Sequence, residues 1–355
     1  MRNIKILFIL VILMLFSLIN NYSAAFIMES YQNYFIKQLI WYIFSFLAIC
    51  IISKINLEFL FKYSFYFYLL GNFILFLTLF IGTNINGSTS WIMIGSIGFQ
   101  PNEFMKIALI MYLYNISYKY KDLSDLKYIL LTTIITLIPS FLTFLEPDTG
   151  AVILYIIILV GYLIIKKVNK FWYIGFLSFI LIFGISFSIL YYNYQDLFIK
   201  IFGTTFFYRL DRVTEFVAGD GYQLNKALTS IGTSGLLGQG LTTIHEYFPE
   251  APTDFAFALT VKNIGIVGII IFLTAYALFF YLLIDLINSK NKNLVFPVIL
   301  LLMFQFSVNV LMNIGLFPII GITLPLISYG GSSLLSYMII IGLVLFKKEN
   351  FSIKK

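Results

Sequence analysis

Near the middle of the second half of the chain, Tyr247-Phe-Pro-Glu-Ala-Pro-Thr-Asp254-Phe255 places a carboxylate at the lip of a long apolar run. Charges at the edge of such runs are expensive to keep and usually functional. The chemistry open to Asp254 is that of a general base, taking a proton from a hydroxyl. A second reading is a helix cap, because Thr-Asp before a helix suits capping and a carboxylate suits the positive end of the helix dipole. Partial burial raises the pKa of such a group and the dipole lowers it, so the balance is a matter for the structure.

Three further groups carry polar residues that the surrounding apolar sequence does not call for. Glu103 and Lys106 stand three apart, on one helix face. They form either an ion pair that eases their burial or a site where Lys106 meets an anionic headgroup. Leu145-Glu-Pro-Asp-Thr-Gly150 is turn chemistry, yet its two acids are also oxygen ligands for a divalent cation such as Mg or Mn. Asp148 and Asp254 are the candidate metal ligands. Gly321-Ile-Thr-Leu-Pro325 and Ser328-Tyr-Gly-Gly-Ser-Ser333 fit either close helix packing or close approach of backbone to a substrate, with Ser328 as the polar group there. His245, the single histidine, reads as a surface residue.

These groups need a frame, and the composition says which kind. Of 355 residues, 60% are hydrophobic and 11% charged, against about 25% charged in a soluble domain. The chain is a multi-pass membrane protein of all-α class, a single transmembrane domain over residues 1–355. Spans of about 20 apolar residues are expected at Ile4–Ala25, Phe35–Ile52, Leu57–Gly82, Glu103–Tyr118, Tyr128–Leu145, Ala151–Ile165, Phe171–Tyr192, Phe255–Ile287, Val295–Leu316 and Leu326–Phe346. The first, behind Arg2 and Lys5, is read as a retained helix rather than a cleaved leader.

With ten spans and both termini cytoplasmic, seven of the 23 basic residues (Lys37, Lys106, Lys200, Arg209, Arg212, Lys226 and Lys262) fall outside and sixteen inside. This is the positive-inside pattern. The net charge of +7 is therefore topological and implies no nucleic acid. Eleven of the sixteen acids lie on the outer side, which marks that face as the working one. The lone Cys50 has no cysteine to pair with and excludes a metal–thiolate centre.

Two outer segments are long. Thr83–Asn102 is turn-rich around Asn86-Gly-Ser-Thr-Ser-Trp91, and Pro101 is placed to open a helix. The extracytoplasmic loop 193–254 is too long for a connector. It holds Arg209-Leu-Asp-Arg-Val-Thr-Glu215 and an amphipathic stretch, Leu224–Leu237, whose glycines permit a tight or re-entrant path.

Taken together and in order, these stretches resemble the SEDS family (shape, elongation, division and sporulation), typified by RodA and FtsW. The carriers are Trp91 with Phe99-Gln-Pro-Asn-Glu-Phe-Met-Lys106, Glu146-Pro-Asp-Thr-Gly150, Gly221-Tyr-Gln223, Ile231-Gly-Thr-Ser-Gly235 with Gly238-Gln-Gly240, Pro249-Glu-Ala-Pro-Thr-Asp-Phe255 and Leu324-Pro-Leu-Ile-Ser-Tyr-Gly-Gly-Ser-Ser333. The resemblance implies an enzyme of the bacterial plasma membrane that polymerises lipid II into glycan strands and releases undecaprenyl pyrophosphate. It implies that Asp254 is the essential acid, that Lys106, Glu103 and Asp148 are site residues, and that a class B penicillin-binding protein supplies the transpeptidase. Arg209 and Arg212 join Lys106 as the expected cations for the leaving pyrophosphate. The chain departs from the family pattern at Lys262-Asn263, Asn225-Lys226 and Gln239, and the first two departures are expected to change the charge of the outer cavity. The rival readings are a lipid II flippase, disfavoured because the polar groups sit at the outer ends rather than the midplane, and a non-catalytic scaffold for the transpeptidase.

Overall fold

The computed structural model describes residues 2–85, 87–95, 97–203, 221–242, 248–289 and 291–346. Every run expected to span the membrane forms a helix. They are α1 (Arg2–Ala24), α2 (Tyr34–Lys54), α3 (Leu57–Lys62) with α4 (Ser64–Ile81), α5 (Pro101–Lys119), α6 (Asp125–Leu145), α7 (Thr149–Lys166), α8 (Lys170–Asn193), α11 (Ala256–Asp285), α12 (Lys292–Asn313) and α13 (Gly331–Phe346). Two further helices, α9 (Gln195–Phe202) and α10 (Tyr222–Gly232), lie in the long outer loop. Among the described residues, seven helices are long and apolar enough to cross a bilayer, and Gly331–Phe346 is a shorter apolar one. Three of the ten expected spans fall outside that count: α8, α5, which carries too much polarity, and α13, which has too few residues. The last expected span starts late: Leu326–Gly330 stays outside the helix, on the outer side of α13.

The low apolarity of α5 is explained by where it sits. It packs against α3, α4, α6, α7, α12 and α13, so neighbours surround it on all sides. Fourteen of its residues are buried, among them Glu103 and Lys106. A helix wrapped by other helices is freed from facing lipid and can carry the ionised groups that a peripheral span cannot. The outer ring does the opposite: α4 and α6 expose Phe73, Phe80, Ile134 and Phe141 to hydrocarbon.

The segment Thr83–Asn102 is more ordered than its turn-rich sequence suggests. It forms a small antiparallel sheet, β1 (Thr83–Ile85), β2 (Ser88–Ile94) and β3 (Ile97–Phe99), in the order β1-β2-β3. The all-α frame therefore carries one sheet on its outer face. Its purpose in the fold is visible in two bonds. Ser88 Oγ donates to the Glu146 carbonyl at 2.7 Å and Thr89 N–H to the same oxygen at 3.1 Å, so the sheet is fastened to the α6–α7 turn.

The glycines of the long loop also act as expected. α11 is interrupted at Gly265, which lies at φ 64, ψ −167. The turn after α10 fills the break. Ile266 and Val267 donate to the carbonyls of Gly235 and Leu236, and Gln239 N–H donates to the Lys262 carbonyl at 2.8 Å. A Cβ on Gly238 would fall 2.3 Å from the Asn263 carbonyl oxygen, and one on Gly265 would fall 2.2 Å from Gly238 N. Only glycine allows this approach of two backbones.

Candidate active site

Asp254 occupies the last turn before α11 and is half-buried. The N-cap of α11 is Phe255, with no side-chain cap hydrogen bond, so Asp254 stands one residue outside the cap. The turn is held by its backbone. Ser328 Oγ donates to the Thr253 carbonyl at 2.5 Å, and Tyr329 N–H donates to the Pro252 carbonyl at 2.7 Å. Asn309 and Asn313 of α12 donate to the carbonyl of Asp254 itself, at 2.9 and 3.0 Å. Opposite the carboxylate runs Ile320-Gly321-Ile322, and a Cβ on Gly321 would lie 3.9 Å from Asp254 Oδ2.

Ser328 takes its place in this framework rather than in an open face. It is buried, and its hydroxyl accepts from Leu324 N–H at 2.8 Å while donating to Thr253. The neighbouring Leu326 adopts φ 66, in the left-handed region that a branched side chain avoids. Its surroundings hold it there. Tyr42 Oη donates to the Leu326 carbonyl, Tyr276 Oη to the Pro325 carbonyl, and Ser17 Oγ to the Ile327 carbonyl at 2.7 Å. Strain of roughly 1–3 kcal/mol persists only where the environment over-determines it, and such places are commonly functional.

The second group gathers around Lys106. This side chain is 0% exposed, and its Nζ lies 2.7 Å from Glu103 Oε2. Ser336 Oγ donates to the same carboxylate oxygen at 2.8 Å, and the Tyr337 ring lies under the ammonium at 5.0 Å. Asp148 belongs to the same group. As N-cap of α7 it accepts from Ala151 N–H at 3.0 Å through Oδ1, and through Oδ2 from Asn102 Nδ2 at 2.5 Å and Gln100 Nε2 at 3.4 Å. Burial holds its carboxyl above the usual carboxylate range, with the Ala151 bond opposing and the Glu103 charge adding to it.

The structure thus brings Lys106, Glu103 and Asp148 into one cluster and sets Asp254 on the far side of the 320–322 segment. A Cβ on Gly150 would meet the Ile320 carbonyl oxygen at 3.0 Å, so this strand of backbone runs between the two acidic turns. The halves are joined by hydrogen bonds. Asn309 Nδ2 reaches both the Asp254 carbonyl and, at 2.8 Å, the Ile322 carbonyl. Next along, Thr323 Oγ1 and Tyr337 Oη lie 3.2 Å apart, and Tyr337 faces Lys106. Arg209, Arg212 and His245 lie outside the described residues.

Glu146 has another character than a ligand. It is 0% exposed, and neither carboxyl oxygen has a hydrogen-bond partner. Burial, with Asp148 adding to it, pushes the carboxyl up to about 8, so the group is mostly neutral at pH 7. Among the described residues no three His, Cys, Asp or Glu side chains gather as a metal site. Asp148 fits a cation poorly, since three N–H groups already point at its oxygens.

Asn263, one of the departures from the family pattern, lies against α1. Its Oδ1 accepts from Ser23 Oγ at 2.8 Å and its Nδ2 reaches Asn20 Oδ1 at 3.3 Å. The residues that sequence reasoning passed over are Asn102, Asn309, Asn313, Ser336 and Tyr337. Gln305, Asn309 and Asn313 stand four apart in an apolar helix, and that spacing is a readable sign of one polar face. Two apolar grooves, of about 370 and 330 Å³, lie on α1–α2 and on α6, and no site residue lines either.

Comparison with known proteins follows the same lines. The model of a family of cell cycle proteins, FtsW/RodA/SpoVE, matches residues 2–351. The "probable peptidoglycan glycosyltransferase FtsW" of Coxiella burnetii is 32% identical over 342 residues, covering 90% of this chain and 88% of that protein. In fold, the chain is similar to a member of a peptidoglycan synthase complex that coordinates polymerization and crosslinking, at TM-score 0.79 and 21% identity, with 96% of each chain covered. It is also similar to the rod-shape-determining protein RodA of Thermus thermophilus, at TM-score 0.68 and 22% identity, with 96% and 94% covered.

Proposed function

The chain belongs to the FtsW/RodA/SpoVE family, and from that premise we propose that it is a peptidoglycan glycosyltransferase in which Asp254 is the general base. The observation that carries the reading is the state of Asp254: its backbone is fastened by Asn309 and Asn313, the residue is half-buried, and its carboxylate lies beside a glycine. The carboxylate takes the proton of the acceptor sugar hydroxyl. The hydroxyl oxygen forms a bond to the anomeric carbon of lipid II on the face opposite the leaving group. The bond from that carbon to phosphate oxygen breaks, and undecaprenyl pyrophosphate departs with the electron pair. A placed base contributes about 10²–10⁴-fold. The enzyme sits in the plasma membrane because donor and leaving group are both lipids.

Charge on the departing pyrophosphate calls for cations. Lys106 is enclosed and paired, so it sets the field of the site from behind, and Arg209 and Arg212 in the outer loop are the groups for direct contact. A divalent cation, if used, would be held by the half-exposed Asp254 and by pyrophosphate oxygens, and would supply charge neutralisation. A class B penicillin-binding protein is the proposed partner for crosslinking the product.

The test is reconstitution in liposomes with lipid II. The reading expects polymer from the chain with its partner transpeptidase, and none when Asp254→Asn replaces the wild type. Headgroup translocation without polymer would make the protein a flippase, and neither activity would leave a scaffold.

A further inference from the structure

The first turn of α11 is closed in an unusual way. Were Asp254 taken into the helix, Ala258 N–H would donate to the Asp254 carbonyl four residues back. Here Ala258 N–H donates to Asn313 Oδ1 at 2.9 Å, and the Asp254 carbonyl accepts from Asn313 Nδ2 at 3.0 Å. The Asn313 amide is inserted between the two groups that would otherwise bond each other, and it satisfies both. It is 0% exposed, so water does not compete. The first bond of the helix then falls one residue later, from Leu259 N–H to the Phe255 carbonyl at 3.0 Å. Asn309, one turn earlier on α12, ties the Asp254 carbonyl to the Ile322 carbonyl and so to the wall that faces the carboxylate.

We infer that Asn313 is a positioning residue for the reaction: its inserted amide keeps Asp254 out of the first turn of α11 and so fixes the place of the carboxylate, with Asn309 setting its distance from the Gly321 wall. The inference rests on Asp254 being the base. A plain packing role for Asn313 makes a different forecast, which allows the two to be told apart. Loss of a buried amide that only packs leaves unpaired groups and destabilises the fold. Removing an inserted amide lets Ala258 N–H and the Asp254 carbonyl close on each other. The helix gains a residue, the fold is kept, and the carboxylate is carried away from its place.

The experiment uses the full chain with its partner transpeptidase, purified in detergent, and measures lipid II polymerisation and melting temperature. Four variants are compared: Asp254→Asn, Asn313→Leu, Asn309→Leu and Asn72→Leu. Asn72 donates to the Tyr68 carbonyl within α4, makes no bond to the Asp254 turn, and serves as the control for loss of an amide. Asn313→Leu is expected to keep a melting temperature near that of Asn72→Leu, to lower kcat by about 10²-fold, the cost of a reacting group misplaced by about 1 Å, and to leave KM for lipid II within about twofold. Asn309→Leu, which keeps the insertion, is expected to lower kcat by about tenfold or less. Wild-type kcat in Asn313→Leu overturns the inference. So does failure of that variant to fold, because the freed backbone groups would then not have closed. Normal polymerisation by Asp254→Asn would instead overturn the reading of Asp254 as base, and is distinguishable from either.

Discussion

The Asp254 turn and the Lys106 cluster hold ionisable groups by opposite means. At Asp254 the protein grips the main chain: Asn309, Asn313, Ser328 and Tyr329 all bond to carbonyls of Pro252, Thr253 or Asp254. The residue is half-buried, and its carboxylate lies beside Gly321. At Lys106 the protein grips side chains, with Glu103, Ser336 and Tyr337 enclosing the ammonium. A group held by its backbone can react without loosening its anchor. A group held by its own charge cannot leave its partner without exposing an unpaired ion in a dry interior. The first arrangement suits a base, the second a fixed source of field.

The contrast is broken most forcefully from the Lys106 side. Lys106→Met leaves Glu103 buried without its cation, at a cost on the order of 3–5 kcal/mol, and is expected to abolish accumulation of folded protein in the membrane. The double variant Lys106→Met with Glu103→Gln is expected to recover folding, as seen by detergent-phase size-exclusion chromatography, while polymerisation stays low. Recovery of both would show that the cluster only packs.

A smaller effect is expected where backbone meets backbone. Gly238→Ala puts a side chain 2.3 Å from the Asn263 carbonyl at φ +81, and is expected to lower the melting temperature by an amount corresponding to about 1–3 kcal/mol. Because the α10 turn plugs the break in α11, proteolysis between residues 233 and 242 should rise in parallel. Unchanged protection would detach that turn from the support of the site.

The smallest effect concerns Glu146. Its folded pKa, about 8, lies above its ordinary value of 4.5. Its neutral form is therefore the one the fold favours, and the stability tied to it is whole below the ordinary value and is lost as pH rises towards and through 8. Glu146→Gln cannot ionise. The fall in melting temperature between pH 6 and pH 9 is expected to be shallower in that variant than in wild type by a few degrees. Equal slopes would place an unrecognised partner on the carboxyl.

Much of this was legible in one dimension, and the reason is energetic. An ion in hydrocarbon is costly enough that Asp254, Glu103, Lys106 and Asp148 stand out from the apolar background on sight. Helix runs were legible for the same reason. What escaped was pairing between distant segments. The sheet at 83–99 depends on bonds to the Glu146 carbonyl, and the break at Gly265 depends on a turn some thirty residues earlier. Neither leaves a periodic trace. At Asn263 the charge difference was visible, while its burial against Asn20 and Ser23 was not. Asn309 and Asn313 were within reach, since amides four apart in an apolar helix mark a polar face, but their common partner is a single carbonyl in the turn before another helix.

The central claim is that one carboxylate, fixed through its peptide in a half-buried turn, moves the proton in glycan polymerisation. The most direct measurement is the initial rate of lipid II consumption by purified wild type and Asp254→Asn, each with the partner transpeptidase and each shown to be folded. The account predicts a rate at least about 10²-fold lower in the variant, with lipid II still bound. Polymer formed at the wild-type rate by the folded variant would contradict it.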